Sequence, residues 1–172
     1  EKKIASFIGV KHVITVNRGT DAITIALHAA GIKKNDEIIS VSNSYLATTG
    51  AIVHLGAKPV FVDVLNNQNI DPNKIEKKIT KKTKAILPVH LTGRSWEMDK
   101  IMKIAKKHKL LVIEDCAQSF GSKYKNKFCG TWGLLGCFSS HPLKNLSGLG
   151  DGGFITTNNS KIAKYIYRTR NY

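Results

Sequence analysis

Lys144 is the only Lys, Arg, Asp or Glu between Phe128 and Gly150, in a chain that carries 27 Lys and Arg. It lies in HPLKNLSGLGDGG (residues 141–153), where glycines at 148, 150, 152 and 153 mark a backbone that turns tightly or lets another group approach. A lysine amine held in a dry, glycine-rich surrounding loses hydration and becomes available as a neutral nucleophile for Schiff-base chemistry. A loop lysine that snorkels to water fits the local composition equally well.

Other residues offer companion chemistry. Glu114-Asp115 ends an apolar run, and a carboxylate so close to a buried sheet needs a cationic or hydrogen-bonding partner. A pyridinium nitrogen would serve, as would a nearby lysine or the cap of a following turn. Gly19-Thr20 opens a helix, where free N–H groups and the helix dipole favour a phosphate; an ordinary N-cap at Thr20 or Asp21 is the plainer reading. Tyr45 offers a ring for stacking on a flat cofactor or for simple packing, and Gln118 an amide for a cofactor oxygen or a structural role. A phosphate cup, a carboxylate for a ring nitrogen, an aromatic face and a lone lysine together match the needs of pyridoxal phosphate.

These residues fall where an alternating fold would place them. HVITV leads through Asn17-Arg18-Gly19 into a helix that closes at Gly31, and EIISVS (37–42) precedes ATTGAIVHLG. PVFVDV (59–64) precedes a helix opened by Asp71-Pro72, and KAILPVH (84–90) precedes one over 97–108. LLVIED (110–115), GCFSS (136–140) and GFITT (153–157) complete about seven strands, with a last helix from Ser160. Strands that are nearly continuous apolar runs, alternating with helices, predict an α/β fold with a mostly parallel sheet covered on both faces. In such sheets ligands bind beyond the carboxyl ends of the strands. The residues there are Asn17 to Asp21, Asn43 to Tyr45, His90, Asp115 to Gln118 and Ser139 to Lys144.

Composition narrows the classes. At 172 residues with 42% hydrophobic content, the chain is long enough for one domain with a core. No apolar run approaches the roughly 18 residues needed to cross a bilayer, and no targeting signal is visible, so a cytoplasmic protein that does not engage membranes is expected. Cys116, Cys129 and Cys137 are odd in number with no C-x-x-C spacing, which suggests free thiols rather than a disulfide framework or zinc site. The net charge of +15 raises nucleic-acid binding, but most lysines fall on polar faces of amphipathic stretches such as NKIEKKITKKTK (73–84) and MDKIMKIAKKHKL (98–110). Only four cations are arginine, the residue that grips phosphate and guanine with two-point geometry, so no nucleic-acid partner is expected. EKKIASFIGV reads as the end of a helix and YIYRTRNY carries no helix stop signal, so a longer polypeptide, cut at both ends, is expected.

Five blocks, NRGTDAITIAL, GAKPVFVDV, NIDPNKIEKKITKKTKAILPVHLTG, VIEDCAQSFGSKYKNKFCG and HPLKNLSGLGDGGFITTN, resemble in order and spacing the DegT/StrS family of nucleotide-sugar aminotransferases. The resemblance runs over nearly the whole chain. It implies the large domain of a fold-type I pyridoxal-phosphate enzyme that acts as a homodimer, with the small C-terminal domain absent. By motif, Lys144 resembles the lysine that binds the cofactor covalently and then shuttles a proton, Asp115 the partner of the pyridine nitrogen, and Gln118 the residue beside the ring's phenolic oxygen. Tyr45 holds the position of the stacking aromatic, and Gly19, Thr20 and Ser139 resemble the phosphate cup. Arg18 and Ser140 depart from the family, which often has Ser and Phe there.

The implied reaction moves an amino group from an amino acid, glutamate first, to a keto-sugar on a nucleotide diphosphate, for surface polysaccharide or a related glycan. A dehydratase branch of the same fold replaces the lysine with histidine, so Lys144 speaks against it. A non-catalytic or regulatory module with this fold is the rival from another class.

Overall fold

The computed structural model describes residues 1–95 and 97–170. Helix α1 (Lys2–Ile8) ends at Gly9, whose φ of 78° gives the left-handed cap that stops it. Strands β1 (His12–Val16), β2 (Glu37–Ser40), β3 (Lys58–Phe61), β4 (Thr83–Ile86), β5 (Leu111–Asp115), β8 (Leu135–Ser139) and β9 (Gly153–Thr157) form one sheet in the order β1-β9-β8-β5-β4-β2-β3. Neighbours pair in parallel except at β9, which runs antiparallel to both β1 and β8. The other six strands therefore all point one way, and their carboxyl ends share one edge. The expected seven-stranded, mostly parallel sheet is present. A small hairpin, β6 (Lys123–Tyr124) with β7 (Lys127–Phe128), is an addition that periodicity does not reveal in two-residue strands.

Alternation along the strands feeds two cores. Ile38, Ala85 and Ile113 pack with α2 (Gly19–Ala29), α3 (Leu46–His54) and α6 (Ser160–Thr169), while the adjacent Ile39, Ile86 and Val112 pack with α4 (Pro72–Ile75) and α5 (Met98–His108). A third cluster joins Ile8 of α1 to Val13, Phe138 and Phe154, the last two rings stacked at 4.6 Å. Helices thus cover both faces.

Several elements are shorter than expected. The amphipathic stretch 73–84 is helical only through α4 and a single 3-10 turn (Glu76–Lys78). Thr80 accepts Thr83 N–H while Thr83 Oγ1 accepts Thr80 N–H, a local exchange that competes with the helix and turns the chain into β4. KAILPVH is ladder-paired only to Ile86, because Pro88 has no N–H to give; Val89 rejoins the sheet as a single bridge to Asp115. Among the described residues no helix is long and apolar enough to cross a membrane, and the three cysteines are free and buried. Asn171 and Tyr172, the end of the stretch without a stop signal, lie outside the described residues.

Candidate active site

The shared carboxyl edge opens into a cleft of about 480 Å³ whose walls include Gly19, Thr20, Tyr45, Thr48, Asp115, Gln118, Ser139 and Lys144. Every residue singled out for cofactor chemistry lines it.

Strand geometry explains the acidic pair. Consecutive residues on a strand face opposite ways, so Glu114 and Asp115 at the end of β5 diverge. Glu114 is fully buried and accepts hydrogen bonds from the backbone N–H groups of Trp132 (2.8 Å), Gly133 and Gly130 (2.9 Å each), with His90 Nε2 at 3.1 Å. It is an anchor for the 130–133 turn. Asp115 faces the cleft, where Oδ2 accepts from Thr48 Oγ1 at 2.7 Å and Oδ1 from Ala117 N–H at 3.1 Å. Burial pushes its carboxyl above the usual range, while the Thr48 and Ala117 bonds and the nearby His90 and Lys144 charges pull the other way. No lysine pairs directly with Asp115 among the described residues, so of the plainer readings the cap of the following turn is the one present, in the Ala117 bond.

Helix α2 begins at Gly19, with Arg18 as its N-cap in extended conformation and no side-chain cap bond. Neither Thr20 nor Asp21 caps it, because both already lie inside the first turn. The uncapped N–H groups are the ones an anion would satisfy. Gly19 also closes on β8: a Cβ there would stand 2.8 Å from Ser139 Cβ, so only glycine allows the helix start and the strand end to approach. Arg18 sits at the cleft wall with its Nε 3.3 Å from Asp21 Oδ1.

Lys144 rides on the loop between the antiparallel β8 and β9. Its N–H donates to His141 O at 2.8 Å, and the single Ser147 hydroxyl proton is shared between Pro142 O (2.7 Å) and Lys144 O (2.9 Å), fixing the turn. Lys144 Nζ lies 3.5 Å from Gln118 Oε1, and Gln118 Nε2 donates to Leu91 O at 3.1 Å, which sets the amide's orientation. The surrounding is not dry as expected: Lys144 is half-buried, and Leu143 and Leu149 are 86% and 110% exposed. Leu143 and Leu149 point outward while Leu146 packs on the third core cluster, so glycine content does not translate into burial of Lys144. Tyr45 is the N-cap residue of α3 and stands 76% exposed at the rim, which rules out simple packing within this chain.

Sequence reasoning missed Thr48, fully buried against Asp115; Ser44, already placed among the strand-end residues, brings its hydroxyl to 2.7 Å from that of Thr48. The available signal was spacing: residues 44 and 48 are one helical turn apart beside a predicted strand end.

The fold and cleft define the class. DesV from S. venezuelae, solved with a ketimine intermediate, superposes with a TM-score of 0.96 at 38% identity, covering 100% of this chain and 47% of that one. The match to the family described as DegT/DnrJ/EryC1/StrS aminotransferase spans residues 1–172, and the chain belongs to that family. The dTDP-3-amino-3,6-dideoxy-alpha-D-galactopyranose transaminase of Aneurinibacillus thermoaerophilus is 50% identical over 173 residues, which is 100% of this chain and 48% of the relative. A pleiotropic regulatory protein of Geobacillus stearothermophilus is 48% identical over 165 residues, 95% of this chain and 44% of the relative. The chain thus spans about half the length of the curated relatives it matches.

Proposed function

We propose that this chain is the cofactor-binding large domain of a pyridoxal-phosphate-dependent aminotransferase that moves an amino group from an amino acid, glutamate first, to a keto-sugar on a nucleotide diphosphate for glycan assembly. The reading includes a cytoplasmic homodimer and a smaller C-terminal domain outside this chain. The observation that carries it is the convergence, in one cleft, of a buried carboxylate, an amine and a glycine-made cradle at an uncapped helix start.

The residues fit the cofactor. Gly19, Thr20 and Ser139 would hold its phosphate, Tyr45 would stack on the ring, and Asp115, pushed up by burial and short of a cationic partner, would gain one in the ring N–H. When bound, the cofactor supplies an aldehyde for covalent attachment and a ring that takes up an electron pair. Lys144 would supply the amine that holds the cofactor and the base that takes the proton from the donor's α-carbon. Gln118, 3.5 Å from Nζ, keeps that amine in reach. Lys144 also separates this reading from the keto-sugar dehydratases, whose resemblance implies histidine at that place.

The test uses the full-length protein loaded with pyridoxal phosphate and a panel of nucleotide keto-sugars. Equal amounts of 2-oxoglutarate and amino-sugar formed from glutamate support the reading. A product that has lost water without consuming the donor, or no turnover with any amino donor, contradicts it.

A further inference from the structure

We propose that Thr48 is a positioning residue that, with Ser44 behind it, holds the Asp115 carboxylate in its orientation and protonation state through a hydroxyl relay. This rests on the function proposed above for its meaning, though not for its geometry.

The Thr48 hydroxyl has one proton and lies 2.7 Å from Asp115 Oδ2 and 2.7 Å from Ser44 Oγ. A carboxylate oxygen is the stronger acceptor, so Thr48 donates to Asp115 and its own oxygen accepts from Ser44. Donation therefore runs in one direction, from half-buried Ser44 through buried Thr48 to buried Asp115. Ser44 and Tyr45 precede α3, and Thr48 occupies its first turn, so a single helix start places the rim aromatic and the relay together. With Ala117 N–H on Oδ1, the relay uses the other oxygen and leaves the carboxylate no freedom to rotate about its bond.

The sign of the effect follows from the surroundings. Asp115 faces His90 from the segment after β4, Lys144 from the loop between β8 and β9, Cys137 from β8, and its chain neighbours Glu114 and Cys116. Burial favours its neutral form and the Thr48 bond favours the anion. Removing the Thr48 donor raises the carboxyl further, so the anion disappears at a higher pH as pH falls. A neutral Asp115 no longer attracts a protonated ring nitrogen.

Thr48→Val keeps the side-chain shape and removes the donor; Thr48→Ser restores the donor without the methyl group, and Ser44→Ala removes only the far end of the relay. The Asp115 carboxyl is titrated by ¹³C NMR in cofactor-free protein, with Asp115→Asn to assign the signal, and pyridoxal-phosphate affinity is measured across pH in parallel. The expected midpoint moves up by about one pH unit, a tenfold gain in proton affinity, in Thr48→Val. It moves less in the same direction in Ser44→Ala and returns toward wild type in Thr48→Ser, with the low-pH loss of cofactor affinity following it. An unchanged midpoint in Thr48→Val, or a shift that Thr48→Ser does not reverse, overturns the relay. A shifted midpoint with unchanged cofactor affinity overturns its role in positioning. Wild-type protein that takes no cofactor at any pH strikes the proposed function, and the carboxyl midpoint still decides the hold of Thr48 on Asp115.

Discussion

Glu114→Gln exchanges one oxygen of a fully buried carboxylate for an NH₂ group and changes almost nothing in shape. Glu114 accepts Trp132 and Gly133 N–H on Oε1, and Gly130 N–H on Oε2 beside His90 Nε2. The glutamine oxygen can keep one pair of these donors. Its NH₂ then confronts either Gly130 N–H or the Trp132 and Gly133 pair, leaving at least one buried donor without an acceptor. An unsatisfied buried donor costs about 1–3 kcal/mol, and the bonds that remain lose their charge assistance. The expected loss is about 3 kcal/mol, a large part of the roughly 5–15 kcal/mol that holds a domain together. Urea unfolding followed by circular dichroism reads it directly. With a slope of about 2 kcal/mol/M, the midpoint falls by about 1.5 M at unchanged slope. A fall of less than about 0.3 M would refute the view that Glu114 anchors the 130–133 turn.

Gly130 combines a φ of +79° with a position where an added Cβ would overlap Phe138 Cζ. Gly130→Ala should therefore cost more than 2 kcal/mol, visible as a lowered thermal midpoint, because left-handed strain and overlap add. Gly19→Ala pushes α2 off Ser139 and should weaken binding of pyridoxal phosphate tenfold or more, while phosphate-free pyridoxal is bound as in wild type; equal losses for both would argue against a phosphate cradle at this helix start. Asn159 accepts Lys161 and Ile162 N–H as the cap of α6, so Asn159→Ala should lower stability by about 1 kcal/mol in urea unfolding without affecting cofactor uptake.

Runs such as HVITV, LLVIED and GFITT are apolar enough to be strands by composition alone. Crossovers through α2 (β1 to β2), α3 (β2 to β3) and α5 (β4 to β5) keep each of these pairs in one direction, while β3 reaches β4 through the short α4 and its 3-10 turn and β5 reaches β8 through the β6–β7 hairpin. The antiparallel course of β9 was hidden because direction depends on where the 140–152 loop carries the chain, not on the residues of the strand itself. The candidate site was legible in the same measure. Asp115, Lys144, Gln118 and Gly19 announce themselves by residue type at strand ends. Which of Glu114 and Asp115 faces the cleft requires the phase of β5, and apart from Ala117 N–H their partners come from segments 16 to 67 residues away. Thr48 escaped for the same reason: a threonine in a helix is silent until the fold places a carboxylate 2.7 Å from it. Lys144 stands out by its isolation in an uncharged stretch, yet the expected dryness is absent because Leu143 and Leu149 turn outward.

The central claim is that Lys144, among 27 Lys and Arg, is the group that takes the cofactor. Incubation with pyridoxal phosphate, borohydride reduction and peptide mapping measure this most directly, with Lys144→Ala alongside. One pyridoxyl group per chain is expected, on Lys144, together with a visible absorption band before reduction, and neither in Lys144→Ala. No covalent label on wild type, or equal labelling of the alanine variant, would contradict it.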